Sequence, residues 1–91
     1  MARMHSIRQA EYISGHKLRL SFEDESVRVV DLAPYLDGEV FEPLRDEAYF
    51  RTVRVDGDIG TIVWDNGADF SPDFLYEIGQ EVQEHSAAGR G

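Results

Sequence analysis

The chain has no cysteine, which excludes a disulfide framework, thiolate chemistry and any zinc site built on thiolates. Positive charge is scarce. Nine Lys and Arg stand against eighteen Asp and Glu, a net charge of −9, and a field of that sign repels phosphate backbones and anionic lipid. Direct binding to nucleic acid or to a membrane surface is therefore not expected. No apolar run approaches the roughly 20 residues of a membrane-spanning helix, and residues 1–6 lack the apolar stretch of a secretory signal, so a cytoplasmic location is expected. His5, His16 and His85 make no i, i+4 pair and have no cysteine to join them, so they read as surface histidines and no metal is expected. The glycines at 57, 60 and 67 precede turns rather than opening a helix after a strand, which gives no phosphate loop and implies no nucleotide cofactor.

A chain of 91 residues has room for one core, burying about 60 to 65% of its extended-chain surface. We take residues 1–84 as one α+β domain and the small residues of 85–91 as a flexible tail. From Met4 to Ile13 the apolar residues Ile7, Ala10, Tyr12 and Ile13 do not keep one parity, which predicts an edge strand with a bulge. Lys17 to Glu23 alternates cleanly, with Leu18, Leu20 and Phe22 inward. Val27 to Leu32 forms the next strand, with either Val27 and Val29 or Val30 and Leu32 buried. These three strands should make a small antiparallel meander. Pro34 and Pro43 break the pattern and predict short helical turns in the middle of the chain, with Tyr35 and Leu36, then Phe41 and Leu44, covering one end or face of the meander. Asp46 is a plausible N-cap for a turn through Tyr49 that delivers Phe50 to the core. Val53 and Val55 should then point inward, with Arg54 outward.

The densest local signals lie between Gly60 and Tyr76. Ile62 and Trp64 share one parity and should be buried, leaving Thr61 and Val63 outward. Asn66-Gly67 fits a type I′ hairpin turn over Asp65 to Ala68. Ser71 can cap a helix that has Pro72 in its first position and Asp73 near its positive end. Leu75, Ile78 and Val82 continue that C-terminal helix as a stripe packed on the meander, and Gly79 permits close approach to the sheet.

Chemistry is sparser. Asp56-Gly57-Asp58 and Asp65 to Asp69 cluster oxygens, but the twelfth residue from Asp56 is Gly67 and from Asp65 is Tyr76, where a calcium loop needs Glu. Turn formation is the better reading of both. The densest acidic run is Glu23-Asp24-Glu25, a charged tip whose residues are the candidates for contact with a basic protein partner. Neutralising all three should leave folding nearly unchanged, as for other surface residues. The leading reading is thus a non-enzymatic protein-binding module. The alternatives are a small hydrolase or ligand-binding protein using Asp56, Asp58, Asp65 and Asp69, and a homodimer paired through the first strand.

Taken together, Leu20 to Asp24, Val29 to Leu32, Phe41 to Asp46, Phe50 with Val53 and Val55, and above all Gly60 to Trp64 through Asn66-Gly67-Ala68-Asp69 to Pro72-Asp73 and Leu75-Tyr76 resemble one family. It is the bacterial domain-of-unknown-function family 2442, and the resemblance spans about Ile7 to Ile78. Two turn positions depart from it: Glu25 stands where members commonly carry Gly, and Asp65 where they commonly carry Pro. The resemblance implies a small α+β domain without known catalytic residues. Genes for such proteins often neighbour a second small family, which implies an antitoxin-like or regulatory member of a two-gene pair, with the adjacent gene product as its partner.

Overall fold

Alternating side chains decide where the main sheet lies. The computed structural model describes residues 5–82. Over them the period-two segments become β1 (Ile7–Ser14), β2 (Lys17–Phe22) and β3 (Val27–Asp31), joined as the expected antiparallel meander. Leu18, Leu20 and Phe22 of β2 are buried, and of the two pairs open on the third strand the buried one is Val30 with Leu32. β1 is an outer strand, and its register breaks between Ile7 and Gln9 and again between Tyr12 and Ser14. The irregular parity of its apolar residues is the cause. The expected start of this strand at Met4, the tail at 85–91 and His85 lie outside the described residues.

After the meander come 3-10 turns at Ala33–Tyr35 and Glu42–Arg45, each with Pro near its start, and the short helix α1 (Glu47–Phe50). Asp46 caps α1, accepting from the Ala48 amide at 3.3 Å. Leu36, Leu44 and Phe50 are thereby buried. His16 is not the free surface residue that its turn position suggests. Its Nε2 lies 3.0 Å from both the Leu44 and the Arg45 carbonyl oxygens, to which it can only donate, and its ring meets Phe50 edge-on at 4.9 Å. It ties the first hairpin to the middle of the chain.

β4 (Arg54–Asp56) and β5 (Thr61–Val63) form a separate two-stranded sheet. It is held against β1, where the Ile7 amide donates to the Gly60 carbonyl at 2.8 Å. Val53 and Val55 are half-buried and Arg54 exposed, following the expected parity. Ile62 and Trp64 are buried, but so is Thr61, against expectation. A hydroxyl can be buried when it is satisfied, and the Thr61 hydroxyl donates to the Phe70 carbonyl at 2.6 Å.

The C-terminal helix α2 (Pro72–Ile78) starts as its sequence requires, with Ser71 Oγ accepting from the Phe74 amide at 3.4 Å and Pro72 in the first turn. It does not reach Val82. Gly79 turns to extended backbone (φ −74°, ψ 150°), and Gln80–Glu81 forms β6, antiparallel to β3. Glycine is a weak helix former, and the edge of β3 offers the chain ladder hydrogen bonds, among them the Val82 amide to the Val27 carbonyl at 2.8 Å. A Cβ at position 79 would lie 2.8 Å from Arg28 Cβ and 3.0 Å from the Leu75 carbonyl oxygen. Only glycine lets the backbone pass this close, as its position in the sequence suggested.

The main sheet thus has the order β1-β2-β3-β6. Leu18, Leu20, Val30, Phe50, Ile62, Trp64 and Leu75 share one core between that sheet, the small sheet and α2. The class is α+β. Among the described residues no helix is long and apolar enough to cross a membrane.

Candidate functional site

Two hairpin turns in this fold have one geometry. In the first, the Phe22 amide donates to the Ser26 carbonyl (2.9 Å), the Glu25 amide to the Phe22 carbonyl (2.9 Å), and Asp24 Oδ1 accepts from the Ser26 amide (2.9 Å). In the second, the Trp64 amide donates to the Ala68 carbonyl (3.0 Å), the Gly67 amide to the Trp64 carbonyl (3.0 Å), and Asn66 Oδ1 accepts from the Ala68 amide (3.1 Å). Both are three-residue loops, a type I turn closed by a residue in the left-handed region. The type I′ turn expected at Asp65 to Ala68 needs positive φ at Asn66 as well as Gly67, and only Gly67 has it, at 91°. Asn66 is held by both ends of its amide, the second end donating to the Val40 carbonyl at 2.9 Å. In the first turn the left-handed place falls to Glu25, with φ 74°. That is the position where the resembled family commonly has Gly.

Glu23, Asp24 and Glu25 are all exposed, as expected of a charged tip. Asp24 is nevertheless tied into the fold. Its Oδ1 also accepts from Ser26 Oγ at 2.6 Å, and its Oδ2 accepts from the Tyr76 hydroxyl at 2.9 Å. The Ser26 hydroxyl first, then the Ser26 amide, hold its carboxyl below the usual carboxylate range; the Tyr76 hydroxyl and the nearby His5 add smaller effects, and desolvation opposes them. Of the three tip residues, Asp24 thus makes contacts beyond solvent.

Tyr76 is gripped on all sides. His5 stacks on its ring (3.8 Å, 9° between planes), the Arg28 guanidinium lies 3.8 Å from the ring centre, and Phe22 meets it edge-on at 5.0 Å. Two groups that close cannot share one face, so His5 and Arg28 sandwich the ring. Arg28 Nη1 also donates to the Gly79 carbonyl at 3.2 Å, which joins the tip to α2 and β6. No local signal marks Tyr76 or Arg28 for these roles, because their partners are about fifty residues away in sequence.

The structural residues of the second turn fall where the sequence puts them. Trp64 is 2% exposed, and its indole Nε1 donates to the Phe50 carbonyl at 3.0 Å. The four carboxylates of the hydrolase alternative are not brought together. Asp56 and Asp58 lie at the β4–β5 turn, where Asp56 accepts from the Asp58 amide at 2.9 Å, while Asp65 and Asp69 lie at the other end of the small sheet, with Asp65 paired to Arg54. Among the described residues no three His, Asp or Glu side chains gather as metal ligands.

What remains is surface chemistry. Every described carboxylate residue is exposed except Asp56, which is half-buried. Four arginines hold partners within the chain: Arg45 bonds the Leu36 carbonyl and Asp37, Arg54 pairs with Asp65, and Arg28 and Arg51 lie over the rings of Tyr76 and Tyr12, although Arg8, Lys17, Arg45, Arg51 and Arg54 are exposed. A shallow depression of about 530 Å³ borders the tip, lined by Glu25 with Arg8, Gln9, Ser21, Ser26 and Val27. Its charges are of both signs, so it does not select one.

No curated protein and no solved structure matches the chain. The model of the family described as "Protein of unknown function (DUF2442)" matches residues 7–81. Because that span runs from the first residue of β1 to the last of β6, it takes in every strand and helix described above, and the chain belongs to the DUF2442 family.

Proposed function

We propose that this chain is a cytoplasmic protein-binding module that captures a basic partner, as the regulatory or antitoxin-like member of a two-gene pair. The observation that supports it is the disposition of charge: every described carboxylate residue but Asp56 is exposed, and Arg28, Arg45, Arg51 and Arg54 already hold partners within the chain. Such a surface raises the encounter rate with a positively charged protein. Glu23 and Glu25 contribute to it at the tip, and Asp24 holds the tip in shape.

The adjacent gene product should co-purify with the chain, and its association rate should fall steeply as salt rises, because the Debye length shrinks from about 10 Å at 0.1 M to about 3 Å at 1 M. Glu23→Gln with Glu25→Gln should slow association further. Association that is equally fast at both salt concentrations removes electrostatic capture. A second reading, a homodimer, has one observation in its favour: β1 is an eight-residue outer strand with Ile13 46% exposed. Sizing under native conditions separates the two.

A further inference from the structure

The negative charge of this protein is concentrated. Residues 33–47 carry five carboxylates against one arginine, and residues 65–77 carry four carboxylates and no cation, so eight of the nine net negative charges belong to these two segments. The fold lays them side by side. Asn66 bonds the Val40 carbonyl, Phe41 stacks on Phe70 at 4.9 Å, Phe70 stacks on Phe74 at 6.1 Å, and Tyr35 meets Phe74 edge-on at 5.1 Å. The result is a seam of four rings with Val40 at one end.

The seam is more apolar at its ends than core packing requires. Tyr35 is 40% and Val40 43% exposed, and Phe41 and Phe74 are half-buried. Among the described residues the other exposed large apolar side chains, Ile13 and Ile59, stand singly on other segments.

We infer that this seam is the docking surface for the basic partner, and that what docks is an amphipathic helix with lysines or arginines flanking its apolar face. The inference rests on the proposed capture of a basic protein and adds where and in what form. Charge complementarity identifies the flanks: Glu39 and Glu42 rise from one segment, Asp69 and Asp73 from the other, and all four are exposed. Phe70, the middle ring, is buried at 8% exposure, so the apolar points open to a partner are Tyr35 and Val40 with the half-buried Phe41 and Phe74. Separate apolar points flanked by carboxylates suit a helix that presents apolar side chains at i, i+3 or i+4, and i+7 between basic ones.

The test uses the isotopically labelled full chain and two synthetic peptides of leucine and lysine with one composition. One has its leucines on a single helical face, and the other is shuffled. The patterned peptide should move the amide resonances of residues 35–42 and 69–76, and bind about tenfold or more tighter than the shuffled one, the size of effect expected when a few apolar anchors are lost. Tyr35→Ser with Val40→Ser should remove that preference while leaving the thermal midpoint near that of the parent, since both side chains are exposed. Equal binding of the two peptides overturns the seam, as do shifts centred on the tip or along β1, and each of these outcomes leaves the basic-partner reading standing. If neither peptide binds at low salt, that reading falls and the seam falls with it.

Discussion

Glu25→Gly should make this protein more stable. Glu25 has φ 74° in a turn whose hydrogen bonds repeat those around Gly67, residue for residue. A side chain in the left-handed region costs about 1 to 2 kcal/mol through the clash of Cβ with the backbone. Glycine removes that cost but adds freedom to the unfolded chain worth about 0.4 to 1 kcal/mol, so the net gain centres on about 0.8 kcal/mol and reaches at most about 1.6 kcal/mol. For a domain of this size the central gain corresponds to a rise of about 3 to 6 °C in the thermal midpoint. Removing one charge from a chain at −9 also relieves repulsion, and Glu25→Gln isolates that contribution because glutamine keeps the Cβ. The reciprocal change, Gly67→Ala, should destabilise by a similar amount. A Cβ at position 67 meets nothing within 4 Å, so the loss would be conformational and not steric crowding. Urea titrations of the parent and the three variants decide the matter. If Glu25→Gly and Glu25→Gln shift the midpoint equally, the left-handed backbone is not the source of the gain. A fall with Glu25→Gly would show that the glutamate side chain stabilises the tip.

Three further outcomes follow from the packing. Trp64→Ala should cost about 3 to 5 kcal/mol, enough to endanger a small domain, and Trp64→Phe should cost less while losing the bond to the Phe50 carbonyl; denaturation midpoints check both. Asp24 is held below its ordinary carboxyl value in the folded state, so its contribution is fully present above the unfolded value of about 4 and is lost as pH falls through the lower folded value. Asp24→Asn should therefore flatten the acid limb of the stability profile, and an unchanged limb would exclude Asp24 as a contributor. Gly79→Ala should loosen β6 from β3, because its Cβ meets Arg28 and Leu75, and faster hydrogen exchange at the Val82 amide would report it.

How much could be read from the sequence depended on how far each signal had to reach. β2 alternates within six residues, Ser71-Pro72 marks the start of α2 within two, and Trp64 shares its parity with Ile62, so these were legible. The end of α2 was not, because Ile78 and Val82 keep a helical spacing while the competing pull comes from the open edge of β3. The turn at Asn66-Gly67 was half legible: the glycine fixed the positive φ, but the bond from Asn66 to Val40 depends on a segment twenty-six residues away. Asp24 was read as a surface charge because Tyr76 is fifty-two residues distant, and His16 as a turn residue because its carbonyl partners lie beyond β3. The seam is a contact between two acidic segments about thirty residues apart, and neither carries a local signal of the other.

The arrangement of β1, β2 and β3 also sets an order of events during synthesis. The meander is complete when residue 31 has emerged, and it then exposes Leu18, Leu20, Phe22 and Val30. Phe50, Trp64 and Leu75, which cover that face, follow later, the last of them forty-five residues after Val30. At about 5 to 20 residues per second the ribosome leaves the sheet uncovered for roughly 2 to 9 s. For that interval the nascent chain presents a hydrophobic face next to an unpaired β3 edge, until Gln80 and Glu81 close the edge.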